Sequence, residues 1–153
     1  MKRWLVFCSV LAVALVPNAF GHFPMLIHDA PFAEVNQVVN LMFAFIHPYE
    51  QQYVDASPKP EKVVAIEPSG KITELTENVV EGTHTVDDVT AKVWSLPYKV
   101  EQSGDVIIAV DSPEIRVRNL LFRGYVKVLV HAEEQEGWRQ RTGQPLEIVP
   151  LTR

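Results

Sequence analysis

Several short stretches of the chain alternate apolar and polar positions with a period of two, the signature of half-buried strands. Val39, Leu41, Phe43 and Phe45 alternate with Asn40, Met42 and Ala44, and the run stops at Pro48. Lys62 to Glu67 predicts a second strand, ended by Pro68-Ser69-Gly70; Lys71 to Leu75 predicts its hairpin partner. Thr90 to Leu96 and Tyr125 to Val130 carry the same alternation, and a Ser103-Gly104-Asp105 turn precedes the apolar run Val106 to Val110. Glu147 to Leu151 predicts a last strand, leading toward a further domain. Ser57-Pro58-Lys59-Pro60 reads as a stiff loop short of backbone donors, and the polar, acidic residues 76–89 as a long loop. No window of a dozen residues carries a 3.6-residue period. Short strands punctuated by turn residues predict an all-β chain, an antiparallel immunoglobulin-like β-sandwich.

The first 21 residues follow a different logic. Lys2 and Arg3 precede an apolar run from Leu5 to Val16, broken only by Ser9, and Pro17-Asn18-Ala19-Phe20-Gly21 supplies a break with small residues at alternate positions. These are the three parts of a secretory signal peptide, and the run falls short of the roughly 20 residues that span a bilayer. The expected division is a signal peptide at 1–21 and one β-sandwich domain at 22–153, with a periplasmic product. Cleavage after Gly21 exposes His22 as the new terminus; cleavage after Ala19 leaves Phe-Gly-His.

Charge and cysteine content narrow the chemistry. The 153 residues hold 14 basic and 19 acidic side chains, a net charge of −5, and loss of Lys2 and Arg3 makes the remainder more negative still. Nucleic acid is excluded as an expected partner, because phosphate binding needs clustered Lys and Arg. The single cysteine, Cys8, lies in the leader, so the domain is expected to lack disulfides and thiolate chemistry. No serine sits in a Gly-x-Ser-x-Gly frame, and there is no Gly-rich phosphate loop or paired-Cys zinc motif. The expectation is a protein that is not an enzyme.

Five histidines remain: His22, His28, His47, His84 and His131. Imidazole suits nickel, cobalt, copper and zinc. An N-terminal His22 offers an α-amine and an imidazole to one ion, as in a copper brace, whereas a third-position His22 favours a square-planar nickel or copper site. His47 continues the Leu41, Phe43, Phe45 register to the strand's end, and Glu50 follows around Pro48 as a further ligand or an orienting carboxylate. His28 lies near His22 in sequence and is a fourth candidate. His84, beside Asp87 and Asp88, and His131, opposite Val126, Val128 and Val130, read as surface residues. Glu133, Glu134 and Glu136 read as a solvated turn.

His22-Phe23-x-Met25-Leu26-Ile27, Phe45-Ile46-His47-Pro48-Tyr49-Glu50, Lys59-Pro60, Glu134-x-Glu136-Gly137-Trp138 and Glu147-Ile148-Val149-Pro150-Leu151-Thr152-Arg153 follow one another in this order. Together they resemble the exported NikK-like proteins, named as a periplasmic component of cobalt or nickel uptake systems. The resemblance implies a periplasmic β-sandwich that binds nickel or cobalt as cargo beside an ABC-type membrane transporter. Those proteins carry a non-ligand six residues after the leading histidine, where this chain has His28, and run on into a second immunoglobulin-like domain. Two rival expectations stand beside this one: an exported sandwich that serves as an interaction or assembly module, and a copper-brace enzyme built on His22.

Overall fold

The computed structural model describes residues 23–47, 52–53 and 57–152, and these form an all-β sandwich. The strands are β1 (Phe23–His28), β2 (Phe32–Ala33), β3 (Val38–His47), β4 (Gln52–Tyr53), β5 (Lys62–Ile66) and β6 (Ile72–Glu74), then β7 (Val80–Val86), β8 (Val89–Lys99), β9 (Gly104–Asp111), β10 (Ile115–Val117), β11 (Leu120–Phe122) and β12 (Tyr125–Ala132). One sheet runs β1-β3-β8-β7, with β4 also on β3. The other runs β2-β12-β9-β5-β6, and β10 and β11 pair only with each other. Among the described residues every pairing is antiparallel except β2 with β12.

Alternation along β3 places Val39, Leu41 and Phe43 between the sheets, where they meet Leu96, Tyr98, Val63, Val106, Ile108, Val110 and Val130. Trp94 closes this core, its indole N–H donating to the Ser57 carbonyl at 2.9 Å, while the Ser57 hydroxyl accepts from the Phe45 amide. That pair of bonds ties the start of the Pro-rich segment to β8 and to the end of β3. Burial pushes the Tyr98 phenol up to about 12, helped by the nearby Glu67 and Glu101 carboxylates.

β9 is apolar without interruption from Val106 to Val110, and all five residues are buried. A strand reads this way when both its faces are covered. Its outward residues Ile107 and Ala109 pack with Val64, Ile66 and Leu129. The C-terminal segment reaches back to this strand, Gln144 donating to the Val110 carbonyl and to Asp111 at 3.1 and 2.8 Å.

The expected strand at 147–151 does not form. Pro145 and Pro150 remove backbone donors on either side. Glu147 instead takes the Thr142 amide, the Thr142 hydroxyl and the Lys127 ammonium. The Thr142 amide, first, then its hydroxyl and Lys127 hold the Glu147 carboxyl below its ordinary range. A carboxyl whose pKa is lower folded than unfolded stabilises the fold above the unfolded value, and that stability disappears as pH falls through the folded one. Urea midpoints measured between about pH 6 and pH 2 are therefore expected to drop less in Glu147→Gln than in the parent, with the difference growing below the ordinary glutamate pKa of about 4.3.

Residues 76–89, expected as a loop, contain a 3₁₀ turn (Thr76–Asn78) and the edge strand β7. β7 pairs with β8 along its whole length. Asp87 and Asp88 connect the two strands, both left-handed at φ 48° and 65°. Two consecutive positive φ values are the geometry of a type I′ hairpin turn, whose backbone twist matches the flanking strands.

Candidate functional site

His47 ends β3 on the face that carries Leu41, Phe43 and Phe45, and it is half-buried. The first strand runs antiparallel beside it. Phe23, the residue after His22, pairs with Ile46, the residue before His47. β4 lies on the other side of β3, with Gln52 opposite His47. His22 and Glu50 lie outside the described residues.

The same register separates His28 from His47. His28 pairs with Leu41, six residues before His47 on β3, which is about 20 Å at 3.3 Å per residue. Both imidazoles occupy the core-side face of this sheet, at opposite ends of it. The His28 Nδ1 is buried without a hydrogen-bond partner among the described residues. The next residue, Asp29, accepts from the Asn40 amide at 2.9 Å and the Asn40 side chain at 2.7 Å. These Asn40 bonds hold the Asp29 carboxyl below its ordinary value, and His28 adds to the effect. Among the described residues no group of three or more His, Cys, Asp or Glu side chains is arranged to hold a metal. His84, expected in a solvated loop, sits half-buried in β7 opposite Ala91.

The histidine with the best-defined carboxylate partner is His131, which the alternation of β12 assigns to solvent. His131 and Asp105 are directly paired on β12 and β9. The His131 Nδ1 lies 2.7 Å from the Asp105 Oδ1, with the carboxylate side chain fully buried and the imidazole 18% exposed. Phe32 of β2 meets the ring edge-on at 5.7 Å, and the His131 amide donates to the Pro31 carbonyl. A carboxylate at Nδ1 places the proton there, leaving the Nε2 lone pair as the acceptor of a neutral imidazole. Such a nitrogen can accept a proton or bind a metal.

A loop closes over Asp105. The Asp105 amide donates to the Glu136 carbonyl, and Gln140 donates to the Pro68 carbonyl at 3.1 Å. Gly137, at φ 90°, passes so close that a Cβ there would stand 2.6 Å from the Pro68 Cα and 2.7 Å from the Asp105 carbonyl oxygen. Glu133, Glu134 and Glu136 are exposed, as their sequence suggests. Asp105 itself was expected in a turn, because Ser103-Gly104 precedes it; it is a buried strand residue. The signal that could have found it is the pairing of a polar residue with an otherwise unbroken apolar strand.

Comparison with known proteins adds a family. The model of the family described as "Domain of unknown function (DUF4198)" matches residues 19–153. No curated protein matches the sequence. Among solved structures, the crystal structure of a DUF4785 family protein from Legionella pneumophila subsp. pneumophila is similar, at 5% identity and a TM-score of 0.43, over 70% of this chain and 27% of that one. This chain therefore spans about a quarter of that protein's length. With residues 19–153 of its 153 matched, the chain belongs to the DUF4198 family.

Proposed function

We propose that this is an exported, periplasmic protein that binds nickel or cobalt and passes it to an ABC-type membrane transporter, as the NikK-like resemblance implies. The observation that supports this reading is the register of β1 on β3. It sets the residue after His22 opposite the residue before His47, so two histidines 25 positions apart in sequence flank one paired position. In this reading His22 supplies nitrogen ligands from its imidazole and the processed terminus, His47 a second imidazole, and Glu50 a carboxylate that binds the ion or orients His47. His28, at the far end of β1, is outside this ligand set. Copper fits the same nitrogen donors.

The test is titration of the exported protein with nickel, cobalt and copper, its N-terminus established by mass spectrometry. His22→Ala and His47→Ala are each expected to weaken binding at least about ten-fold, as loss of one ligand does. Binding is expected to fade below about pH 6, where protons compete for imidazole. Affinity unchanged in both variants overturns the reading.

One observation favours the rival reading, an interaction or assembly module. Met25, Ile27 and Met42, half-buried, pack around the buried Ala44, Ile46 and Val93 on the side of the β1-β3-β8-β7 sheet that faces away from the core. That reading expects no metal affinity and a protein recovered with the exported chain.

A further inference from the structure

The β10–β11 hairpin is unlike the rest of the molecule. It belongs to neither sheet of the sandwich, and an isolated two-stranded ribbon is at best marginally stable in water. Leu120, Leu121 and Phe122 stand on it in sequence, 63%, 51% and 52% exposed. Alternation sends Leu120 and Phe122 to one face of the ribbon and Leu121 to the other. Arg118 stands in the turn at the tip and Arg116 is paired with Leu121 midway along the ribbon, both exposed, and Arg123 lies at the base. Arg123 is engaged locally, 2.9 Å from Glu61 and over the Tyr125 ring. Arg118 turns the hairpin in the left-handed region, at φ 55°, a conformation that costs a side chain like arginine free energy and is normally given to glycine or asparagine.

The charge is as unusual as the exposed surface. A chain of net charge −5 with 19 acidic residues has no Asp or Glu anywhere from 115 to 132. An exposed apolar projection thus coincides with a stretch free of negative charge. We propose that this hairpin docks the protein on an anionic lipid surface, with Leu120, Leu121 and Phe122 entering the interfacial layer and Arg116 and Arg118 meeting phosphates. Apolar side chains on both faces of a thin ribbon fit a medium that surrounds them. A protein groove would cover one face and leave the other wet. Apolar insertion together with basic residues supplies the two signals that reversible membrane attachment needs. None of His22, His47 or Glu50 takes part, so this proposal and metal binding stand or fall separately.

Vesicle co-sedimentation tests it, using the exported protein and variants with the same N-terminus. Vesicles of phosphatidylcholine containing one-third phosphatidylglycerol are expected to bind the parent in low salt and release it in high salt, and pure phosphatidylcholine to bind it weakly. Arg116→Glu with Arg118→Glu is expected to reduce binding to the anionic vesicles by about 30-fold or more. Leu121→Ser with the arginines intact is expected to reduce it by about ten-fold. Far-ultraviolet circular dichroism establishes that each variant is folded, and Leu121→Ser stands alone as the test if the double variant is not. No binding to anionic vesicles, or parental binding by the folded variants, overturns the proposal; a protein partner recovered through the hairpin in the absence of vesicle binding does the same.

Discussion

Replacing Gly137 with alanine is expected to cost about 3 kcal/mol of stability, a sum of backbone strain and overpacking. The position has φ 90°, and the added Cβ would meet backbone on two sides, the Pro68 Cα at 2.6 Å and the Asp105 carbonyl oxygen at 2.7 Å. Neither neighbour is the far end of a flexible side chain, so the loop itself must move off β9. Gly143 provides the comparison. It has φ 76°, with nothing within 4 Å of a built Cβ, so Gly143→Ala is expected to carry only the conformational term, about 1 kcal/mol. Urea unfolding of the two variants separates the contributions. Equal midpoints would mean that the loop over Asp105 is loosely seated.

Asp105→Ala is expected to cost about 3 kcal/mol. The carboxylate is fully buried, and its removal leaves the His131 Nδ1 with an apolar cavity in place of an acceptor at 2.7 Å. Breaking a buried pair from one side costs more than the pair contributes, because the remaining polar group stays desolvated. Asp105→Asn preserves the shape and one acceptor oxygen, and its expected loss is about 1 kcal/mol. Thermal unfolding of both variants, with the His131 ring protons followed by NMR, checks the order. An alanine variant within about 0.5 kcal/mol of the parent would show that the contact does not support the fold.

The elements legible in the sequence are those with one face buried. β3, β8 and β12 carry their period of two openly, and β5 and β6 are announced by the Pro68-Ser69-Gly70 turn that joins them. β7 was concealed because Glu81, Thr83 and Thr85 make its exposed face polar and Gly82 interrupts the other. Its turn was concealed too, since Asp87-Asp88 adopts with two side chains a conformation that Asn-Gly would have announced. β1 and the β10–β11 hairpin lack a clean alternation, and the pairing that makes them strands is invisible one segment at a time.

The site was legible to a similar depth. His47 stands where the β3 register puts it, on the core-side face at the strand end. His28 could not be placed without the antiparallel pairing, which turns six residues of sequence proximity to His22 into the length of a strand. His131 and Asp105 are 26 residues apart. They meet because β12 lies on β9, and Asp105 is buried because residues 136–140 fold back over it. Alternation reports which face a residue takes; it carries no information about what later covers that face.

β2 is the single parallel partner in the molecule's described pairings, and it holds Phe32 and Ala33 against His131 and Ala132. Its two residues therefore wait for a strand made almost a hundred positions later. Contacts of that sequence separation slow folding, because the loop must close before the pairing repays it. A chain emerging N-terminus first would hold β1, β3 and β8 in one sheet while the other still lacked β12, the strand between β2 and β9. The sandwich is thus expected to acquire its final closure only after residue 132 has emerged, with refolding in the milliseconds-to-seconds range of non-local β topologies.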